Sequence, residues 1–400
     1  MTLSDVVAKH RVVVCVGSGG VGKTTAAAAV GLWGAQQGRA TVVITIDPAR
    51  RLATSLGLEV KSGEPHEIPA DRLGMPRPRG SMAAMMLDQK GAWDRLVERH
   101  APNARVRDQV LANAFYQSLS QTFAGSYEYM AIEELSELHA NGRYDLIVVD
   151  TPPTKHALDF LEAPRRLDDF LDRRIIRWFV RPYVSATWTG MRLMNRTMGF
   201  LLKRLEDATG LSVLVTISEF FTAMGSLFDG FHERVERAYG ILQGPETAFI
   251  LVTSPDEQVL GEAEYLSGKM AELHMPLKGV IFNRTHGECA LPEGARVDGG
   301  HADGRAYVER LVERALSTAS GSRDPRELRA LVDNFMCYQA LGGGEALRIE
   351  AFIAALRGRV PAVRVPNFSH DVHDVGALIG LHPYLFAPDA AVPPAGDGSR

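Results

Sequence analysis

The chain has 400 residues, 46% of them hydrophobic and 23% charged, which is enough to bury the core of one elaborated α/β domain or of two smaller ones. Its formal net charge of -4 gives no general attraction to DNA or anionic lipid, so we expect no nucleic-acid partner. The widely spaced Cys15, Cys289 and Cys337 argue against a disulfide framework, and neither a secretory signal nor a membrane-spanning run is apparent, so we expect a soluble, cytoplasmic protein.

Apolar, β-branched runs predict the strands of the fold. Seven runs recur along the chain, at residues 12–16, 40–46, 82–87, 146–149, 248–252, 279–282 and 360–365. Apart from 360–365, which contains Arg364, they are largely apolar without alternation, which is typical of strands covered on both faces, and the helical segments between them favour right-handed crossovers. Two stretches rich in proline and glycine, 57–80 and 286–304, predict loops. We therefore predict an α/β fold with a mostly parallel sheet flanked by helices.

One long segment departs from this alternation of strands and helices. No strand pattern appears between residues 155 and 244, so we predict a helical subdomain inserted at 155–244. The core domain would then comprise residues 1–154 and 245–387, and a disordered tail would follow at 388–400.

The first predicted strand leads into a glycine-rich segment and then into an alanine-rich helical stretch. The segment reads Gly17, Ser18, Gly19, Gly20, Val21, Gly22, Lys23, Thr24 and Thr25. Glycines let successive backbone N–H groups turn towards a β-phosphate, and the positive end of the following helix points to the same place. Lys23 neutralises phosphate charge, and Thr24 can ligate Mg²⁺. We predict a P-loop NTPase sheet with this segment as its phosphate-binding loop; the alternative is a plain glycine-rich turn.

Two predicted strands end in carboxylates, which a parallel sheet would bring to one edge. Asp150 follows the run 146–149, and we expect it to hold Mg²⁺ through water. Asp47 follows the second run, where a carboxylate can orient the attacking water. The alternatives are a turn or cap at Asp150 and a cap for the helix near Ala49 at Asp47. The Thr-Pro-Pro-Thr sequence at 151–154 cannot continue a ladder and predicts a shaped loop near the γ-phosphate.

The motifs G-x-G-G-V-G-K-T-T, D-P-A and D-T-P-P-T, in this order, resemble those of the arsenical-pump ATPase family, which also contains the tail-anchored-protein targeting ATPases. Looser matches lie at 125–130, 252–257, 283 and 365–366. The resemblance covers most of residues 11–380 and implies ATP hydrolysis within a dimer that sandwiches the nucleotide. It implies that Asp47 is the water-orienting acid of switch I and that Asp150 lies in switch II. From the residues themselves, we expect Asp47 and Lys23 to be catalytic and Thr24 and Asp150 to hold Mg²⁺, Asp150 through water.

An adenine site is also implied by the resemblance. Asn283 would read the base, and the segment from Pro366 to Phe368 would cover it. The sequence N-R-T-H that begins at Asn283 lacks the N-K-x-D arrangement whose carboxylate would read guanine. We therefore expect ATP, rather than GTP, together with Mg²⁺.

The chain departs from the family pattern at Ser18, where most members carry a second lysine that reaches the partner's nucleotide. Arg50, Arg51 and Lys155 are candidate substitutes, although each can also be interpreted as a solvated surface cation. A related partner subunit could instead supply the charge. The sequence therefore leaves open whether the chain forms a homodimer or a heterodimer and whether its hydrolysis is fast or slow.

Metal sites known from some family members are not expected in this chain. It has neither the C-x-x-C pair that binds zinc nor a clustered cysteine triad for arsenite. His286, Cys289 and His301 share one loop, but their spacing matches no standard metal site. The polar tract at 370–374 also suggests a metal site, but we interpret it as the first turns of the last helix, with Ser369 as the N-cap.

The segment 170–228 mixes methionine and aromatic residues with arginines and ends in a strongly apolar run. Such a surface could bind a hydrophobic helical client or contact a membrane, or it could form the subdomain's core or the dimer interface. The first functional hypothesis is a Mg²⁺-dependent ATPase that acts as a nucleotide-driven dimeric switch. The alternatives are a poorly hydrolysing targeting or scaffold factor and a partitioning-type ATPase on DNA or membranes, which the net charge disfavours.

Overall fold

The computed structural model describes residues 2–46, 52, 63–74, 80–122, 126–153, 216, 220, 231–287, 302–318, 325–356, 360–369 and 371–387. Several predicted features lie outside these residues. They are Asp47, Arg50, Arg51, Thr154, Lys155, Cys289, His301, the tail 388–400 and most of the segment 155–230.

Within the described residues, eight strands form one sheet in the order β3-β4-β2-β5-β1-β6-β7-β8. Their bounds are β1 Val12–Val16, β2 Ala40–Thr45, β3 His66–Glu67, β4 Ser81–Met86, β5 Leu146–Asp150, β6 Thr247–Thr253, β7 Leu277–Thr285 and β8 Ala362–Pro366. All neighbouring pairs are parallel except β3 with β4. The predicted α/β fold with a mostly parallel sheet is confirmed. The loop prediction at 57–80 missed β3, because two residues are too few for a recognisable pattern.

Eleven α-helices lie within the described part of the chain. They are α1 Leu3–Lys9, α2 Lys23–Gln36, α3 Gln89–His100, α4 Ala104–Ala112, α5 Ala114–Thr122, α6 Ser126–Asn141, α7 Phe231–Gln243, α8 Glu257–Glu272, α9 Ala302–Thr318, α10 Pro325–Ala355 and α11 Val375–Phe386. None of the helices in this part of the chain is long and apolar enough to cross a membrane. Helix α9 begins at residue 302, so the loop predicted for 286–304 was drawn two to three residues too long.

Alternate residues of the central strands enter two separate cores, as the two-residue period of a strand requires. In β1, Val12, Val14 and Val16 join a core shared with α3, α6, α7, α8 and α10. Val13 and Cys15 join the other core, which α1, α2 and α11 cover. The central strands are thus buried on both faces, which explains why their sequences are continuously apolar.

Helix α2 is rich in alanine and glycine because it lies very close to the sheet. A Cβ added at Gly31 would be 2.3 Å from a methyl group of Val43, and one added at Gly34 would be 2.4 Å from a methyl group of Leu146. Larger side chains would separate the helix from the strands below it. This packing holds the second half of α2 against β2 and β5.

One local interpretation is corrected by the structure. The last helix begins at Val375, and its N-cap is Asp374, whose Oδ1 accepts the Ala377 N–H at 2.7 Å. Ser369 is therefore not the cap, because residues 371–374 precede the helix and are not helical. Helix α7 lies inside the predicted insertion 155–244, yet it packs in the core beside α6 and β6 through residues such as Val235 and Leu242. The division of the chain into domains stays a prediction.

Candidate nucleotide-binding site

The glycine-rich loop between β1 and α2 requires glycine at two positions for steric reasons. Gly17 has a φ of 152°, and a Cβ there would lie 2.0 Å from the carbonyl oxygen of Val252, at the end of β6. Gly22 has a φ of 93°, and its Cβ would lie 2.4 Å from Nδ2 of Asn283. Both positions combine a left-handed backbone with a close neighbour, which excludes a side chain without movement. The loop therefore passes close to the end of β6 at Gly17 and to Asn283 of β7 at Gly22.

Helix α2 begins at Lys23 with Gly22 as a cap that supplies no side-chain acceptor. The first N–H groups of such a helix can hydrogen-bond an anion, and the helix dipole favours negative charge at this end. The Lys23 Nζ lies over the loop and donates to the Ser18 carbonyl at 2.7 Å. The lysine is buried, so its ammonium group is directed to the loop rather than to solvent.

Asp150 is the last residue of β5 and lies beside this loop, next to the ends of β1 and β2. In the parallel register it lies opposite Cys15 of β1 and Thr45 of β2. Its Oδ2 accepts hydrogen bonds from the Thr24 hydroxyl at 2.8 Å and from the Thr45 hydroxyl at 2.9 Å. Burial and the neighbouring Asp150 carboxylate raise the pKa of the Cys15 thiol, which stays a neutral core residue.

The Thr24 hydroxyl and the Asp150 carboxylate fit a magnesium ion by their chemistry. Both are hard oxygen donors, and Mg²⁺ is typically held by one or two such groups together with substrate phosphates and water. The 2.8 Å hydrogen bond between them places both beside the N-terminus of α2, where the phosphates would lie. Thr45 was missed in the sequence, although its position two residues before Asp47 puts a polar group at the end of an apolar strand.

The segment after Asp150 lies against the P-loop, as predicted for a shaped loop. The Thr151 hydroxyl donates to the Cys15 carbonyl at 2.8 Å, which ties the segment to the end of β1. A Cβ at Gly19 would lie 3.6 Å from the Pro153 side chain, in ordinary contact. Residues 151–153 thus reach the phosphate loop, while Thr154 and Asp47 lie outside the described residues.

A cavity of about 220 Å³ opens next to the loop. It is lined by Gly22, Thr25, Ala26, Ile281, Asn283, Arg284, Val365, Pro366, Asn367, Phe368, Asp371, Val372, Leu381 and Leu385. The volume is below the roughly 300–1,000 Å³ of pockets for whole drug-sized ligands, so it suits part of a ligand, such as a base. The predicted base residues Asn283, Pro366 and Phe368 all line this one cavity.

Asn283 connects the cavity to the P-loop. Its Nδ2 donates to the carbonyl of Val21 at 2.8 Å. The next residue, Arg284, has a φ of 58°, and the pairing of β7 with β8 shifts register between Phe282 and Thr285. A non-glycine residue in this conformation is uncommon and is often held at functional sites. The irregularity turns the end of β7 so that Asn283 faces the loop.

Most of the predicted substitute cations and metal ligands lie outside the described residues; these are Arg50, Arg51, Lys155, Cys289 and His301. His286, which is described, is paired with Glu345 instead. Across the described ranges, no group of three or more His, Cys, Asp or Glu side chains could hold a metal ion.

A glycine loop between a central parallel strand and a helix, with lysine and threonine at the helix start and a buried aspartate on the neighbouring strand, defines the class of P-loop nucleotide-binding proteins. Within that class, the model of the anion-transporting ATPase family matches residues 10–313, and the chain belongs to this family.

Curated relatives are similar at low identity. A protein named arsenical pump-driving ATPase 1 from Aquifex aeolicus is 24% identical over 71% of this chain and 64% of its own length. A protein named ATPase ASNA1 homolog from Entamoeba histolytica is 27% identical over 67% of this chain and 74% of its own. A protein named ATPase GET3 from Malassezia globosa is 29% identical over 40% and 44%, respectively. The chain thus spans less than two thirds of the Aquifex protein.

Proposed function

We propose that the chain hydrolyses ATP with magnesium at the P-loop and that nucleotide turnover switches the state of a dimer. The observation that carries the proposal is the meeting of three groups at one edge of the sheet. They are the glycine-rich loop, the Lys23 ammonium group that donates to a carbonyl of this loop, and the Thr24 hydroxyl group that donates to the Asp150 carboxylate. Together they supply the amides, the cation and the oxygen donors that a magnesium triphosphate needs.

The residues would divide the chemistry between them. Thr24 would hold the magnesium ion directly and Asp150 through water, and the ion would offset charge on the β- and γ-phosphates. Lys23 would exchange the Ser18 carbonyl for phosphate oxygens, because a charged acceptor forms the stronger hydrogen bond. Asp47 would accept a hydrogen bond from the attacking water and orient it in line with the bond that breaks between the γ-phosphorus and the bridging oxygen of ADP.

Adenine is the base that the cavity would accept. The Asn283 Nδ2 donates to the Val21 carbonyl, so its Oδ1 is the amide atom that can accept from a base. Adenine carries an amino donor at its six position, whereas guanine carries an oxygen acceptor there that would oppose Oδ1. Pro366 and Phe368 would cover the base, and Phe368 packs edge-on against Tyr384 at 5.6 Å between ring centroids.

Phosphate release by purified protein tests the proposal. We expect magnesium-dependent release that falls by about a hundredfold or more in Asp47→Asn, with ATP binding retained, because only the orientation of water is lost. The matched control is Lys269→Ala, since Lys269 lies on the exposed face of α8 and pairs with Glu272. Full activity in Asp47→Asn would contradict the assigned role. No magnesium-dependent release by folded wild type would contradict hydrolysis itself.

Ser18 supports a second candidate, a nucleotide-gated targeting or scaffold factor that hydrolyses ATP poorly. The position lacks the lysine expected from the family pattern, and Arg50, Arg51 and Lys155 are the candidate substitutes. Alanine at one of these should lower turnover over tenfold without weakening ATP binding if the residue replaces that lysine. Unchanged turnover in all three variants, together with slow wild-type release, would favour the second candidate.

The dimer and its partner are further parts of the proposal. Two identical chains, or two related ones, would pair across the nucleotide, and the segment 170–228 would bind a hydrophobic helical client or a membrane surface. Its methionine and aromatic residues support this assignment. Native mass measured with and without nucleotide tests pairing. A photocrosslinker at Met194 that captures no hydrophobic peptide in the ATP state would argue against the client.

A further inference from the structure

A buried carboxylate of α10 holds the end of β7 next to the base cavity. Glu345 is 5% exposed. Its Oε2 accepts the backbone N–H of His286 at 2.7 Å, and its Oε1 lies 2.8 Å from the Nδ1 of the same residue. A carboxylate only accepts hydrogen bonds, so Nδ1 carries the imidazole proton. Glu345 therefore fixes both the backbone and the ring of His286.

The other side of the His286 ring reaches the segment that covers the base cavity. Its Nε2 lies 3.2 Å from the Nδ2 of Asn367. An amide NH₂ group only donates hydrogen bonds, so Asn367 donates to Nε2. Asn367 lies between Pro366 and Phe368, and all three line the cavity. Glu345, His286 and Asn367 thus form a continuous chain of hydrogen bonds from α10 to the cavity wall.

Packing holds the imidazole in place. The Tyr338 ring meets it edge-on, with centroids 5.7 Å apart and planes at 86°. A Cβ at Gly342, one turn before Glu345, would lie 3.0 Å from the His286 carbonyl oxygen, so a side chain there would have to push the His286 backbone away by a few tenths of an ångström. Backbone bonds complete the connection, since the Asn367 N–H donates to the Thr285 carbonyl at 2.9 Å.

Helix α10 also contacts the loop that follows β6 and borders the P-loop. The Arg348 Nε, three residues after Glu345, donates to the Pro255 carbonyl at 2.9 Å. Pro255 follows β6, whose Val252 carbonyl lies against Gly17. One stretch of α10 therefore contacts the end of β7 through Glu345 and the loop after β6 through Arg348. Of these two residues, Glu345 is the one whose hydrogen bonds lead to a residue that lines the cavity.

We infer that Glu345 is a positioning residue for the base half of the nucleotide site and that it acts through His286 and Asn367 on the segment covering the base. The inference rests on the proposed nucleotide-binding function. Glu345 itself does not line the cavity. Its removal should affect the part of the binding free energy that depends on the base and leave the part from the phosphates unchanged.

Glu345→Gln breaks the chain with little change in shape. The amide oxygen can accept only on one side, so its NH₂ group would oppose one of the two His286 donors. The loss of a buried, charge-assisted hydrogen bond predicts about a tenfold weaker affinity for ATP. Tripolyphosphate has no base, and its affinity should stay within about twofold of the wild-type value.

Calorimetric titration of the full chain with magnesium ATP and with magnesium tripolyphosphate tests the inference. The matched control is Asp333→Asn, on the same helix, whose carboxylate pairs with Arg305 of α9 at 2.6 Å, away from β7. It should bind both ligands as wild type does. Equal weakening of both ligands in Glu345→Gln, or no weakening of either, would overturn the inference.

A double-mutant cycle separates a hydrogen-bonded chain from a general loss of packing. If Glu345 acts through His286, Glu345→Gln combined with His286→Gln should weaken ATP binding no more than the larger single change. Additive losses would overturn the inference. Should Glu345→Gln fail to fold, the His286→Gln variant alone keeps the test, because it must weaken ATP and spare tripolyphosphate. Wild type that binds neither ligand would contradict the proposed function instead.

Discussion

Two glycines of the P-loop allow the contact between the loop and Asn283 to be measured. Gly20 and Gly22 both have a positive φ, 76° and 93°, so alanine strains the backbone at either position. A Cβ at Gly20 meets nothing within 4 Å, whereas one at Gly22 would lie 2.4 Å from the Nδ2 of Asn283. Only Gly22→Ala must therefore displace Asn283 from its 2.8 Å bond to the Val21 carbonyl.

The structure gives the size of the difference. Left-handed backbone costs an alanine roughly 1–2 kcal/mol, and this term is common to both variants. Loss of the Asn283 hydrogen bond adds about 1 kcal/mol in Gly22→Ala alone. Urea denaturation of the two variants should therefore differ by about 1 kcal/mol in the free energy of unfolding, with Gly22→Ala the less stable. In an Asn283→Ala background this difference should vanish. Equal losses in the wild-type background would refute the reasoning.

Three other predictions concern stability. Burial lowers the pKa of His382 from 6.5 to about 4. The unfolded chain therefore takes up a proton that the folded chain does not as pH falls from 6.5 to 4, which should cost up to about 3 kcal/mol of unfolding free energy. His382→Gln should remove that pH dependence in urea titrations, and an unchanged slope would contradict the burial argument. Thr45→Val should lower the unfolding free energy by about 1–3 kcal/mol, because the Asp150 carboxylate loses a donor, and an unchanged urea midpoint would count against it. Gly31→Ala should destabilise the protein by about 1–3 kcal/mol by overpacking α2 against Val43, whereas Gly240→Ala, with open space around it in α7, should be neutral or stabilising by up to about 1 kcal/mol in thermal melts. The reverse order would contradict the packing.

Most of the sheet could be predicted from the sequence because the central strands are buried on both faces. Runs such as 12–16 and 146–149 have no polar residue to obscure them, and the structure places strands at Val12–Val16 and Leu146–Asp150. The phosphate loop was equally visible, since its glycines, Lys23 and Thr24 are consecutive. The prediction that Asn283 reads the base depended on the family resemblance, and the structure adds the contact of this residue with Val21.

Other features depend on contacts between distant parts of the chain. Glu345 has no local signal, because its partner His286 lies 59 residues away, and a glutamate in a helix is ordinarily solvated. The N-cap of the last helix lies in a polar tract where several residues, Ser369 among them, could begin a helix. The backbone conformation of the folded chain places the N-cap at Asp374. The short strand β3 is held by its pairing with β4, not by its own composition.

Nucleotide binding at the P-loop is the central claim, and calorimetric titration of folded protein with magnesium ATP tests it most directly. Wild type and Lys269→Ala should give saturable heat, and Lys23→Ala should bind at least about tenfold more weakly, because it lacks the ammonium group that lies over the phosphate loop. Absence of saturable heat with wild type, or equal affinity in Lys23→Ala, would contradict the account.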